Sequence, residues 1–248
     1  MPLPLLLLSL ALQAAMIVHC IKTGRNQIWI WVLLMLSFVG VIAYVAAELV
    51  PEWLRSRTTQ RTVRSVKQAL DPEANLRRYE QLASNSDNVD SRQRHAEELL
   101  RLQRPAEAVQ ICQDGLKGLY EHDPGLLLTL ARAQFDSGAP AAARQTLDRL
   151  IQHNPGFKSP EGHLLYARAL DAEGDTARAL DEYRVLAGYF PGAEATVRWA
   201  QLLIRQADTG TARSALTTLL QQAESAPAHY RRNQEAWLAQ ARQLLAGL

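Results

Sequence analysis

Hydrophobic residues are concentrated at the beginning of the chain. Two apolar runs, over about residues 3–21 and 28–50, are separated by a short polar connector that carries Lys22 and Arg25. At 1.5 Å per helical residue, each run is long enough to cross roughly 30 Å of hydrocarbon. Residues 1–51 are therefore predicted to form a membrane hairpin of two transmembrane helices. A cleaved signal peptide is the alternative for the first run, although no basic segment precedes it.

A basic segment follows the second apolar run. Residues 52–72 are predicted to form a juxtamembrane linker helix, broken at Asp71 and Pro72. Its basic residues are Arg55, Arg57, Arg61, Arg64 and Lys67. Because this segment holds more Lys and Arg than the connector, it is predicted to lie on the cytoplasmic side, where it can also contact anionic lipid. A solvated helix face is the simpler alternative for the same five residues.

Alanine pairs recur through the rest of the chain. One alanine of each pair lies at 96, 131, 167 and 200, and a second follows twelve residues later, at 108, 143, 179 and 212. Small residues at a fixed offset let two antiparallel helices approach closely, so each pair predicts a helix A followed by a helix B. Gly138 and Gly174, each seven residues after its first alanine, mark the turn between the helices.

These patterns predict an all-α fold. Two transmembrane helices are followed by an α-solenoid of about four helix pairs over residues 73–226 and a C-terminal capping helix over 227–248. Proline ends helix B at Pro155 and Pro191, and at slightly longer offsets at Pro124 and Pro227. Asp175 is predicted to cap the N-terminus of the helix that follows Gly174.

The alanine, glycine and proline spacing resembles the tetratricopeptide repeat family, over roughly residues 88–227. The resemblance implies that the A helices line a concave groove that binds a protein or peptide. The family's groove positions, carried onto this sequence, are Leu128, Arg132, Phe135, Leu164, Arg168, Val197, Gln201, Ile204 and Arg205.

Two of these groove positions are arginines in adjacent repeats. Arg132 and Arg168 each follow a helix-A alanine, so they are expected to lie side by side and to bind a carboxylate of the partner. The alternative is that they pair with carboxylates of the groove itself, at Asp136, Asp171 or Glu194.

The hairpin also resembles a known element. Residues 19–53, with Trp29, Trp31 and Tyr44, are similar to the two-helix membrane hairpin at the N-terminus of cardiolipin synthases, which implies a bacterial inner membrane. Phospholipase D chemistry needs a His-x-Lys motif, and the sequence has none. The resemblance therefore implies a shared anchor without the shared reaction.

Composition and motifs exclude several other classes of function. No phosphate-binding glycine loop, nucleophile elbow or paired-cysteine motif is present, and the six histidines lack ligand spacing. Neither catalysis nor a cofactor or metal ion is expected. Acidic residues slightly outnumber basic ones from Tyr79 onward, so nucleic acid is not an expected partner.

The sequence therefore predicts a non-catalytic scaffold in the bacterial inner membrane, with two spans and cytoplasmic repeats. Two alternatives stay open. The chain could assist a separate phospholipid synthase of the cardiolipin type, or its repeats could face the periplasm as part of an assembly factor.

Overall fold

The computed structural model describes residues 17–18, 22, 71–85 and 88–248. The chain divides into two units, 1–72 and 73–248. Apart from residues 17–18 of the first span and 71–72 of the linker, the two predicted spans and the basic linker lie outside the described residues. Within the described residues, no helix is both long and apolar enough to cross a bilayer.

The second unit is built from helices joined by short turns. In the described part of this unit, all regular structure is helical, as predicted, and from α1 to α9 each helix packs against the next. The helices are α1 (Ala74–Asn85), α2 (Val89–Arg101), α3 (Pro105–Gly115), α4 (Pro124–Asp136), α5 (Pro140–His153), α6 (Pro160–Glu173), α7 (Thr176–Tyr189), α8 (Glu194–Arg205), α9 (Thr209–Ser225), α10 (Ala228–Asn233) and α11 (Glu235–Ala246). A 3₁₀ turn at Gly118–Tyr120 lies between α3 and α4.

The alanine pairs lie where the two helices of each repeat meet. Their first members lie on α2, α4, α6 and α8, and their second members lie on α3, α5, α7 and α9. All eight side chains are fully buried. A methyl group lets two helices approach closely, and a longer side chain at the same place would force them apart. We call α2, α4, α6 and α8 the A helices, and α3, α5, α7 and α9 the B helices.

A left-handed residue ends every A helix at the same repeat position. Gly138 and Gly174 have φ angles of 78° and 83°, and the equivalent residues Gln103 and Ala207 have φ angles of 59° and 62°. Glycine adopts this conformation at little cost, whereas a residue with a Cβ atom is strained by about 1–2 kcal/mol. The turn geometry is therefore common to all four repeats, although the glycine signal appears in only two.

Side chains that cap the helices set several boundaries. Asp175 accepts a hydrogen bond from the backbone N–H of Arg178, which confirms the predicted cap. The prediction for Pro124 was wrong, because α3 already ends at Gly115. Pro124 is instead the first residue of α4, where Asp123 accepts a hydrogen bond from the N–H of Leu126. Proline is favoured at this position because the first helical N–H has no partner within the helix.

The C-terminal end of the solenoid is closed by two helices, where the sequence predicted one. They divide at Gln234, whose side-chain carbonyl accepts a hydrogen bond from the backbone N–H of Ala193, 3.0 Å away. This bond ties the division point to the start of α8. Leu238 is buried against α8 and α9, and Trp237, Leu244 and Leu245 pack around it.

The left-handed turn at Ala207 yields a stability prediction. Replacing Ala207 with glycine is expected to raise the free energy of unfolding by about 0.5–1 kcal/mol, because relief of strain exceeds the added chain entropy. The control Ala239→Gly, at an exposed helical position in α11, should lower it by about 1 kcal/mol. Chemical denaturation followed by circular dichroism measures both. A loss of stability in Ala207→Gly would contradict the left-handed turn.

Candidate functional site

Arg132 and Arg168 occupy the same position in neighbouring A helices. Each follows a fully buried alanine, and one residue turns a helix by about 100°, so each arginine is carried away from the B helix. Arg132 is exposed and Arg168 is half-buried. The guanidinium carbon of Arg168 lies 4.6 Å from the centroid of the Phe135 ring, an arrangement that holds the cation in place through its attraction to the ring face.

Two of the three acidic residues named as possible partners pair with other side chains, and the third, Asp136, forms no ion pair among the described residues. Asp171 lies 2.6 Å from the guanidinium of Arg205, and Glu194 lies 2.7 Å from that of Arg198. Within the described residues, neither Arg132 nor Arg168 has an ion-pair partner. The structure therefore does not support the alternative that carboxylates of the groove neutralise these two arginines.

A small hollow of 230 Å³ lies beside Arg168 on this surface. Phe135, Arg168 and Asp171 line it from α4 and α6, and Tyr183 lines it from α7. The Nε atom of Arg168 and the hydroxyl oxygen of Tyr183 are both buried without a hydrogen-bond partner among the described residues. Such groups are costly to leave unpaired, by about 1–3 kcal/mol each.

The hydroxyl of Tyr183 is a hydrogen-bond donor over the whole physiological pH range. Burial, the main cause, raises the pKa of Tyr183 well above its ordinary value, because a phenolate would lose its hydration. Arg198 and Arg205 also line the hollow. Tyr183 itself is fully buried, so the polar groups that the hollow presents are the guanidinium groups of its three arginines and the carboxylate of Asp171. This excess of cations suits an acceptor group that carries negative charge.

The structure corrects the apolar part of the predicted groove. Leu164 and Val197 are only 6% and 0% exposed, so a peptide on the surface would not reach them. Each lies three residues before a buried alanine and therefore shares that alanine's inward face. Leu128, Phe135 and Ile204 are partly buried and pack against the core.

The predicted residues of the last repeat gather at one end of the surface. Gln201, Ile204 and Arg205 line a second hollow of 440 Å³ together with Asp171 and Leu244. The structure thus brings Asp171 of the third repeat together with the predicted polar residues of the fourth, Gln201 and Arg205. The predicted lipid-proximal residues, Arg55, Arg57, Arg61, Arg64 and Lys67, lie outside the described residues.

Three residues of the hollow, Ala172, Tyr183 and Arg198, were not predicted from the sequence. Tyr183 belongs to a B helix, and Arg198 lies on α8 two residues before Ala200. A signal for Tyr183 existed, because it follows Ala179 by four residues and so lies on the face that meets helix A. Nothing in the sequence pattern marked Arg198.

The described residues offer little chemistry outside this surface. They contain no group of three or more His, Cys, Asp or Glu side chains that could hold a metal ion. Burial, the main cause, raises the pKa of the Cys112 thiol to about 12. Cys112 is therefore a packing residue with a thiol that stays protonated.

Comparison with known proteins agrees with the repeat assignment. Residues 99–169 match the tetratricopeptide repeat family. No curated protein matches the chain significantly.

Several solved structures have a similar fold. MamA from Desulfovibrio magneticus RS-1 has a TM-score of 0.57 at 15% identity, over 68% of this chain and 95% of MamA. Pseudomonas aeruginosa PilF has a TM-score of 0.54 at 20% identity, over 73% of this chain and 77% of PilF. A thermophilic tetratricopeptide protein of Thermus thermophilus has a TM-score of 0.51 at 17% identity, over 72% of this chain and 96% of that protein.

At these identities the likeness concerns the fold alone. Together with the family match over residues 99–169, it supports a tetratricopeptide-like helical solenoid for the described part of residues 73–248, a fold that suggests a protein-interaction scaffold.

Proposed function

We propose that this protein is a non-catalytic scaffold, anchored in a bacterial inner membrane, that holds a partner peptide on the surface of its A helices. The partner peptide carries a carboxylate beside an apolar side chain. The observation that carries the proposal is the pair of arginines, Arg132 and Arg168, which no described carboxylate neutralises.

The geometry favours a carboxylate over a neutral ligand. A guanidinium offers several N–H donors in a fixed plane, and its bonds to a carboxylate are stronger than bonds between neutral groups. Arg168 is held against Phe135, so little side-chain freedom is lost when it binds. The partly buried Phe135 and Ile204 offer apolar contact on the same surface.

The membrane part of the proposal rests on the sequence. The two apolar runs in residues 1–51 supply the anchor, and the basic residues that follow favour a cytoplasmic position for the repeats. A partner held on the repeats would then be concentrated beside the inner face of the membrane.

Removal of both arginine side chains tests the binding role. The double variant Arg132→Ala/Arg168→Ala should bind a pool of apolar peptides containing Asp or Glu at least about tenfold more weakly, because charge-assisted hydrogen bonds are lost. Fluorescence anisotropy with the full 248-residue chain measures this, and circular dichroism should show unchanged helix content.

The double variant Arg184→Ala/Arg213→Ala is the matched control. It removes the same charge from exposed positions on the B helices α7 and α9 and should leave peptide binding unchanged. If both double variants bind the peptides equally weakly, binding depends on net charge alone, which would contradict the proposed site.

Fusion of a reporter after Leu248 tests the orientation. A fluorescent protein that folds only in the cytoplasm should be bright, and alkaline phosphatase fused at the same residue should be inactive, because the basic segment resists translocation. Activity of the phosphatase fusion would place the repeats outside and contradict the cytoplasmic assignment.

A further inference from the structure

A larger cavity, of 840 Å³, lies between the second and third repeats, away from the arginine pair and from both hollows described above. Its walls are the B helices α5 and α7, the first turns of α6, and the loop 154–159. It shares no lining residue with the hollow beside Arg168. Its volume falls in the range of about 300–1,000 Å³ that is typical of ligand sites.

Large apolar side chains converge on this cavity while remaining open to water. Ile151, Phe157 and Tyr189 are 59%, 40% and 50% exposed, and all three line the cavity. A single exposed apolar residue is ordinary on a protein surface. Three on separate elements around one cavity form a concave apolar wall, and Leu147 and Leu150 close its base.

A fixed carboxylate stands at the edge of this wall. The Nε2 atom of His163 lies 2.6 Å from Oε2 of Glu182, and its Nδ1 atom lies 2.5 Å from the hydroxyl oxygen of Tyr189. A carboxylate only accepts hydrogen bonds, so Nε2 of His163 carries a proton and donates a hydrogen bond to Oε2 of Glu182. Oε1 of Glu182 has no hydrogen-bond partner among the described residues.

A second carboxylate of the cavity is only partly neutralised. Asp148 lies 2.7 Å from the guanidinium of Arg144, but that guanidinium also binds Glu173 at 2.8 Å, so one cation serves two carboxylates. Arg144 does not line the cavity, and the lining holds one Lys or Arg, Lys158, against the two carboxylates of Asp148 and Glu182. The cavity is therefore apolar inside and carries an excess of negative charge.

We infer that this cavity binds a peptide segment of a partner protein in which a large apolar side chain lies next to Lys or Arg. The apolar side chain fills the space between Ile151, Phe157 and Tyr189, and the cation binds Oε1 of Glu182. The charge preference is opposite to that of the arginine pair, so the scaffold has two binding sites with different ligands. This inference does not rest on the function proposed for the A helices.

Selection from a random heptapeptide display library on the full 248-residue chain tests the inference. Enriched sequences should contain an aromatic or aliphatic residue next to Lys or Arg. Ile151→Lys should abolish this enrichment, because it places a positive charge in the apolar wall, where it repels the Lys or Arg of the peptide. The matched control Val185→Lys makes the same change at a 52% exposed position of α7 outside the cavity and should leave enrichment intact.

Affinity measurements with one enriched peptide then separate charge from shape. Glu182→Gln keeps an oxygen that accepts from His163, but it removes the charge and should weaken binding at least about tenfold. The variant Arg132→Ala/Arg168→Ala should bind this peptide as tightly as the parent chain does, which distinguishes the cavity from the A-helix site.

Several results would overturn the inference. Enrichment of peptides without the apolar and basic pair would do so, as would enrichment that survives Ile151→Lys or is equally lost in Val185→Lys. Self-association of the chain that disappears in Ile151→Lys, measured by light scattering without peptide, would assign the cavity to a second copy of the chain instead.

Discussion

Close packing of each A helix against its B helix determines the geometry of each repeat. All eight alanines are fully buried, and each pair joins an A helix to its B helix. Because each A helix turns its alanine into the core, the rotation of the helix about its axis is set relative to the core. Every other assignment of a residue to the core or to the surface follows from that rotation.

The arginine pair is a direct consequence of this constraint. The residue after each helix-A alanine is turned about 100° from the contact, toward the surface of the A helices. Glu97, Arg132, Arg168 and Gln201 hold this position in the four repeats. The two cations are therefore confined to the central repeats, and Phe135 and Tyr183 lie beside Arg168. Their neighbours Asp171 and Glu194 are committed to Arg205 and Arg198.

Sequence patterns predicted the repeats well because the alanine contact has a fixed spacing. Some failures had a local cause, and one depended on neighbours that are distant in the chain. Leu164 and Val197 were placed in the groove, although their spacing from the alanines puts them on the inward face. The left-handed turns at Gln103 and Ala207 lack the glycine that marks them elsewhere. The cavity at Ile151, Phe157 and Tyr189 exists only because three separate elements meet there.

Photo-crosslinking from the A-helix surface tests the central claim most directly. A benzophenone amino acid at Ala172, which is exposed and lines the hollow beside Arg168, should form a covalent adduct with a partner protein in cells. The adduct should disappear when Arg132 and Arg168 are both replaced by alanine, and the same group at Val185 should not form it. An adduct that persists in the double variant, or forms equally from Val185, would contradict the account.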